Sequence, residues 1–370
     1  MNIVKKLFLI ALIFLLIIVS PDSRSEEQSA REKYQANLFI SDLKVPWGMV
    51  QLPDGSFLVT EREGKLLHIS ADGESRKEVS GLPEIISEGQ GGLLDIELDP
   101  DFNSNKLLYL SLSSPIGETE GSNTAIIRGE FENNKLSNLK VLYKASPNTN
   151  SRHHFGSRIE FDRDGKLFFS IGDRGARDQN PQDLKRDGGK IYRINADGSI
   201  PKDNPFVSTE KPAIYSYGHR NPQGMAMNPK TGKIWAHEHG PRGGDEINII
   251  EPGKNYGWPV ISYGINYNGT KFTELTEKEG MEQPAWYWDP SIAPSGMVFV
   301  TSDKYPEYKG KLIVGSLKFG YLVLLEVEDQ SVKSAEIILE GIGRVRNVRQ
   351  MNDGYLYIAV DGQGIKRLEP

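Results

Sequence analysis

The chain has 370 residues, 38% of them hydrophobic and 25% charged, with a formal net charge of −6 and no cysteine. The mild acidity argues against nucleic acid as a partner, because such binding shows as a basic patch or a high isoelectric point. The absence of cysteine excludes disulfides and a lipid-anchored lipoprotein, so the fold must be held by its core.

Lys5 and Lys6 precede the apolar run Leu7–Val19, and the polar SPDSRSEEQSA follows. A basic start, a short apolar stretch and a polar exit make a secretory signal. The run is short for a membrane span, which takes about 20 residues. Ser23 and Ser25 are small enough for a cleavage site after Ser25, which divides the chain into a signal at 1–25, an extension at 26–36 and one domain at 37–370. An uncleaved anchor is the competing reading. The remaining chain, about 345 residues, can bury a large core.

Six similar strand signals then recur: DGSFLVT at 54–60, NKLLYLSLS at 105–113, DGKLFFSIG at 164–172, TGKIWAHEHG at 231–240, KGKLIVGSL at 309–317 and DGYLYIAVD at 353–361. Most open on a Gly or Asn turn and continue as a β-rich run with partial alternation, which buries one face. A second strand often follows, as in GKLLHIS at 64–70, GGKIYRI at 188–194 and GIKRLEP at 364–370. The spacing, roughly 57 residues per unit, is near the upper length of a propeller blade. The pattern predicts an all-β, six-bladed β-propeller with long insertions around 114–150, 173–187 and 257–300; five and seven blades are the runners-up. Loops from several blades converge at one mouth of a propeller, so residues far apart in sequence can form one site.

The segment 214–259 is crowded with residues that make poor core, among them Arg220–Asn221, Gly240–Pro241, the Gly-Gly-Asp-Glu run at 243–246 and the Tyr-Gly-Trp-Pro run at 256–259. Such loops on a rigid scaffold are where binding groups sit. In SRHHFGSR at 151–158, His153 and His154 point to opposite sides if the backbone is extended, and one of them could face the channel as a general base. Two surface histidines are the alternative. Gln90, on the Gly-rich turn of GQGGLLDIELDP, can donate and accept on a ligand, or simply be solvated. Arg344 and Arg346 alternate in GRVRNVR and so share a strand face. Two like charges there repel unless an anion lies between them, and a ligand with several carboxylates or phosphates, also met by Arg220 and Lys318, would serve. A solvated basic face is the bland reading. Six histidines, no cysteine and no HExxH argue against zinc. The carbonyls of the Gly-Pro turn with Asp245 and Glu246 offer the hard oxygens that calcium takes, unless those acids pair with Arg242 or cap a turn.

Taken together, GQGGLLDIELDPDF, HHFGSRIEFDRDG, SYGHRNPQGMAMNP, EHGPRGGDEIN, GKNYGWP and the late RVRNVR resemble the glucose/sorbosone dehydrogenase family, in order and across essentially all of 37–370. Within it the chain looks most similar to the periplasmic soluble aldose sugar dehydrogenases, which use pyrroloquinoline quinone. The resemblance implies a six-bladed propeller, the quinone and Ca²⁺ near the channel mouth, aldose sugars as substrates and an external electron acceptor, a quinone or small redox protein, for a periplasmic monomer or homodimer. Its base, the His four residues before the Arg of H-x-G-x-R, matches His154. Gln90, Arg220, Asn221, Lys318, Arg344 and Arg346 match cofactor contacts. Gly240 and Pro241 match the carbonyls that hold the cofactor calcium, and Glu246 with the Tyr256 carbonyl matches a second calcium. No GxGxxG follows a strand, so a nicotinamide mechanism has no support. A calcium-dependent propeller hydrolase of the lactonase type and a non-catalytic glycan- or protein-binding propeller are the alternatives.

Overall fold

Each of the six repeated signals becomes the second strand of a four-stranded antiparallel sheet in the computed structural model, which describes residues 33–369. The signal read at 1–25 and most of the extension lie outside the described residues. The chain enters through β1 (Gln35–Ser41) and builds a first blade from β2 (Pro46–Gln51), β3 (Phe57–Glu61), β4 (Lys65–Ile69) and β5 (Arg76–Glu78). The second blade is β6 (Leu93–Leu98), β7 (Leu107–Ser114), β8 (Asn123–Glu132) and β9 (Lys135–Lys144), with the short helix α1 (Phe102–Asn105) ahead of β7. The third is β10 (Ile159–Phe161), β11 (Lys166–Ile171), β12 (Lys190–Asn195) and β13 (Ile214–Tyr217), and the fourth is β14 (Pro222–Met227), β15 (Ile234–Glu238), β16 (Asp245–Ile249) and β17 (Trp286–Trp288). The fifth is β18 (Pro294–Phe299), β19 (Leu312–Ser316), β20 (Leu322–Glu328) and β21 (Ser331–Ile338). The sixth comprises β22 (Val345–Gln350), β23 (Leu356–Val360), β24 (Gly364–Glu369) and the returning β1, whose pairs run from Gln35↔Glu369 to Ser41↔Gly364. The fold is thus an all-β, six-bladed propeller.

The first strand of each blade packs against the first strands of its neighbours, and these six strands surround the axis. β2 and β3 are buried throughout, whereas β5 at the rim is exposed. Apolar cores therefore lie between blades: Val50, Leu58 and Leu66 meet Leu93, Ile96 and Leu108 across the first interface, and Met49, Phe57 and Ile69 meet Tyr357 and Ile365 where the ring closes. Near the axis the strands approach closely. A side chain at Gly48 would come within 2.9 Å of the Asp95 carboxylate and of the Ile96 amide nitrogen, so only glycine fits there.

The insertions differ from the sequence reading in one place. Residues 114–150 are not an insertion, because most of them form β8 and β9, the outer half of the second blade. β9 is largely exposed, and its apolar residues show no regular alternation. The 173–187 segment is a loop between β11 and β12. Of 257–300, the part before Trp286 is a long loop between β16 and β17, and the rest supplies β17 and β18.

The pairing register places the site. In every blade the start of the first strand lies beside the end of the second, as in Pro222↔Glu238, Pro294↔Ser316 and Val345↔Val360. In five blades the first strand also slips register within its first few residues, at Pro46/Gly48, Leu93/Ile96, Pro222/Gly224, Ser295/Met297 and Val345/Asn347. A bulge bends the strand and re-aims its side chains. This bulged end is the mouth onto which the candidate residues fall.

Candidate active site

Four of the candidate residues weighed from sequence line one cleft of about 400 Å³ at this mouth, His153, His154, Arg220 and Pro241, together with Asp173, Trp258 and Tyr267. His154 does not sit on extended backbone. Its φ is 57°, and its ring meets that of His153 edge-on at 4.6 Å, so the two histidines share the cleft instead of facing opposite ways. The turn is held by Gln90, whose Oε1 accepts from the His154 amide at 2.8 Å. Gln90 is thus a support for His154, reaching across from the neighbouring blade.

The His154 ring is fixed by Asp173, at 2.7 Å from Nδ1 to Oδ1. Asp173 is 1% exposed and takes two further donors, the Gly175 amide at 2.8 Å and the Trp258 indole N–H at 2.9 Å. With Nδ1–H donating to Asp173, Nε2 is left to accept a proton. Burial lowers the His154 pKa to about 4, with Arg220 and His153 adding to the effect and Asp173 opposing it. Burial would raise the Asp173 carboxyl, but the His154 hydrogen bond and the Arg220 charge outweigh it and hold it below its usual range.

Arg220 and Asn221 stand at the start of β14. The Arg220 guanidinium donates to the His239 carbonyl at 3.0 Å and lies 5.4 Å from the Trp258 ring centroid. Its amide is held by Glu238, whose other oxygen meets His219 at 2.8 Å. Asn221 Oδ1 accepts from the Gly156 amide at 3.1 Å and so braces the His154 turn from the fourth blade.

Lys318, Arg344 and Arg346 do not line this cleft. They belong to the same mouth on the fifth and sixth blades, the sixth standing opposite the third, which carries His154. Arg346 occupies the bulge of β22, so strict alternation does not place it beside Arg344. What joins them is Asp361, which pairs with Arg344 at 3.2 Å and with Arg346 at 2.6 Å. The anion between them is therefore in part the chain's own. Arg344 also donates to the Leu317 carbonyl at 3.0 Å, and Lys318 donates to the Ser291 carbonyl at 3.1 Å. With only one acid among three cations, this corner keeps net positive charge.

The calcium reading meets two different arrangements. Gly240 sits in a tight turn where an added side chain would lie 2.3 Å from each of the Gly243 and Gly244 carbonyls. Asp245 is spent on this turn, taking the Gly240 amide at 2.8 Å and the Ala293 amide at 2.8 Å. It caps the turn, the structural alternative foreseen for it. Any cation at Gly240 and Pro241 would depend on backbone oxygens, since no group of three His, Asp or Glu suited to a metal occurs among the described residues. Calcium accepts such carbonyl donors. Deeper in, Glu246 and Glu238 share one Asn248 amide, at 3.2 Å each, beside a gap of about 10 Å³ that Tyr256 also lines. Burial first, and then Glu238, push the Glu246 carboxyl up to about 8. The Tyr256 hydroxyl is engaged with the Ile249 carbonyl and the Glu251 amide, so only its backbone oxygen is left for an ion. A buried carboxylate, Glu238, and a partly buried one, Glu246, beside so small a gap would suit a divalent ion.

Asp173 and Asp361 escaped the sequence reading, as did the role of Trp258. Asp173 and Asp361 follow the second strands of their blades by one or two residues, as do His239, Gly240 and Lys318, and that recurring position was the available signal. Trp258 lies in the Tyr-Gly-Trp-Pro run that the sequence marked as a site loop, but only the fold brings its indole to Asp173.

A positively charged corner, a neutral histidine held by a buried acid and a carbonyl-rich turn around one propeller mouth define a cofactor-dependent oxidoreductase site. Residues 43–367 match the glucose/sorbosone dehydrogenase family model, and the chain belongs to that family. It is 42% identical over 324 residues to the aldose sugar dehydrogenase YliI of Escherichia coli, covering 85% of this chain and 87% of that one. The crystal structure of the apo-form of the soluble aldose sugar dehydrogenase from E. coli superposes with a TM-score of 0.87 at 39% identity, over 91% of this chain and 99% of that one. The quinone-bound aldose sugar dehydrogenase of Streptomyces coelicolor gives a TM-score of 0.75 at 28% identity, over 91% and 98% of the two chains.

Proposed function

We propose that this chain is a pyrroloquinoline quinone- and calcium-dependent dehydrogenase that oxidises aldose sugars at the anomeric carbon to lactones and passes the electrons to an external acceptor in the periplasm. The observation that carries the reading is the His154–Asp173 pair standing in one cleft with Arg220, opposite a cationic corner.

The residues suit the cofactor. Lys318, Arg344 and Arg346 would hold its carboxylates, and the Gly240 and Pro241 carbonyls would hold its calcium. When bound, the quinone supplies the two-electron acceptor that no side chain can provide. The chain does the rest. His154 Nε2 takes the proton of the anomeric hydroxyl, and Asp173 stabilises the resulting imidazolium through Nδ1–H. Arg220 places a fixed positive charge beside the reacting oxygens. Loss of that proton together with the hydride on the anomeric carbon leaves a lactone, so the balance needs no water. Glu246 and the Tyr256 carbonyl would hold a second calcium that braces the Trp258 segment.

Purified apoprotein given the quinone and Ca²⁺, with dye reduction followed across aldoses, tests the reading. Activity is expected only with both additions. Activity with NAD and none with the quinone would overturn it.

A further inference from the structure

Five of the six blades carry a residue assigned to the cofactor or its chemistry: Gln90 on the second, His154 on the third, Arg220 and Gly240 on the fourth, Lys318 on the fifth, Arg344 and Arg346 on the sixth. The first blade, between the cationic corner and Gln90, carries none. The first two residues after the second strand, which yield Asp173, His239, Lys318 and Asp361 in other blades, begin here with Arg62, directly after β3.

The backbone of Arg62 is clamped. Its amide donates to the Val45 carbonyl at 3.1 Å, and its carbonyl accepts from the Leu93 amide at 3.2 Å and the Ser87 hydroxyl at 3.0 Å. Gly92, with φ 147°, admits this clamp, since a side chain there would lie 1.8 Å from the Arg62 oxygen. The clamp ties Arg62 to the same turn that carries Gln90. The guanidinium, by contrast, meets no hydrogen-bond acceptor or carboxylate among the described residues, although the side chain is half-buried.

A half-buried arginine normally pairs with an acid or accepting oxygens. Asp361, the acid whose charge reaches it, is already paired with Arg344 and Arg346. Burial, and then Arg346 and Arg344, hold the Arg62 pKa below its ordinary value. The rigid backbone, the free fork and the uncompensated charge leave one role consistent with all three. We propose that Arg62 is a further cofactor-binding residue, which donates to a carboxylate of the bound quinone from the first blade and completes the anion site begun by Arg344 and Arg346. This rests on the quinone reading above.

The test is a binding titration that does not depend on turnover. Apoprotein, Arg62→Gln and Arg62→Lys are titrated with pyrroloquinoline quinone at fixed Ca²⁺, and Kd is read from tryptophan quenching or equilibrium ultrafiltration. The thermal midpoint of each cofactor-free protein is read alongside. A charge-assisted hydrogen bond of roughly 1.5–3 kcal/mol corresponds to a Kd about 10- to 150-fold weaker for Arg62→Gln. Arg62→Lys should fall between, since it keeps the charge and loses the fork. The cofactor-free midpoints should agree within about 1 °C, because the guanidinium bonds to nothing that unfolding would release. Tight binding by both the parent and Arg62→Gln overturns the proposal. So does a large loss of midpoint in Arg62→Gln, which would make Arg62 structural. Failure of the parent itself to bind the quinone would instead sink the reading on which the proposal stands.

Discussion

His154 is set up as a base by two opposing influences, burial that keeps it neutral and Asp173 that holds its tautomer. His154→Ala should lower kcat by roughly 10²–10⁴, the range for a general base, while quinone affinity stays close to that of the parent. His153→Ala should do far less, because no acid among the described residues fixes its ring. Reversed effects in steady-state kinetics would exchange their roles. Asp173→Asn offers one oxygen and one N–H₂ where three N–H donors, from His154, Gly175 and Trp258, now converge on the two carboxylate oxygens, so at least one contact must fail. A kcat loss of about 10²-fold or more is expected, together with a displaced acid limb of the kcat/KM profile; an unmoved profile would reduce Asp173 to a packing residue. His154 also couples stability to pH. Unfolded, it protonates near its ordinary value of about 6.5; folded, it refuses the proton down to about 4. The stability it contributes is therefore present above pH ~6.5 and is lost as the pH falls towards 4, by up to ~3 kcal/mol. A His154→Gln variant, which takes up no proton in either state, should show a smaller loss of thermal midpoint between pH 7 and pH 4.5 than the parent.

Two loops flank the cleft and show where sequence reasoning stopped. The 173–187 loop is held from beneath by the buried Lys190, whose ammonium donates to the carbonyls of Asn180, Asp183 and Gly188. The long loop before β17 reaches over to it: Arg177 donates to Asn266 at 3.1 Å and lies 4.9 Å from the Phe272 ring centroid. These contacts tie the two loops together beside the cleft. The 257–300 segment carries Tyr263, Tyr267, Trp286, Tyr287 and Trp288, and of these five Tyr267 alone lines the cleft, at 73% exposed. Trp286 and Trp288 pack against the core between the fourth and fifth blades, and Tyr263 stacks on Tyr287 at 3.9 Å. Composition showed that aromatics were there; the pairing of β16 with β17 decided which way they faced. An exposed ring at the edge of an active cleft suits a sugar unit beyond the one being oxidised. Tyr267→Ala should therefore raise KM for disaccharides several-fold, and that for monosaccharides little. A steady-state screen over both classes checks it, and equal changes in the two would remove Tyr267 from the substrate path.

The propeller was readable because its second strands are the most buried and most regular part of each blade, and they repeat. The outer strands escaped because exposure erases their alternation, as in β9. The bulges escaped because a slip of register leaves no mark in residue type, which is why Arg346 was placed on a face it does not share with Arg344. Closure was equally hidden. β1 looks like a preface to the fold but is the fourth strand of the sixth blade, paired with β24 from Gln35 to Ser41. That blade carries Arg344, Arg346 and Asp361, while the His154 side of the mouth belongs to blades far from the seam. A chain starting at residue 42 would leave β24 as a bare edge and open the ring where the first and sixth blades share the core of Met49, Phe57, Tyr357 and Ile365. The expected result is a drop in thermal midpoint of roughly 10 °C or more, with the quinone affinity supplied by the cationic corner lost at temperatures where the body of the sheet structure persists. Calorimetry, circular dichroism and a quinone titration on the shortened chain decide it. An unchanged midpoint with full quinone affinity would mean that five complete blades and an incomplete sixth hold the site without the returning strand.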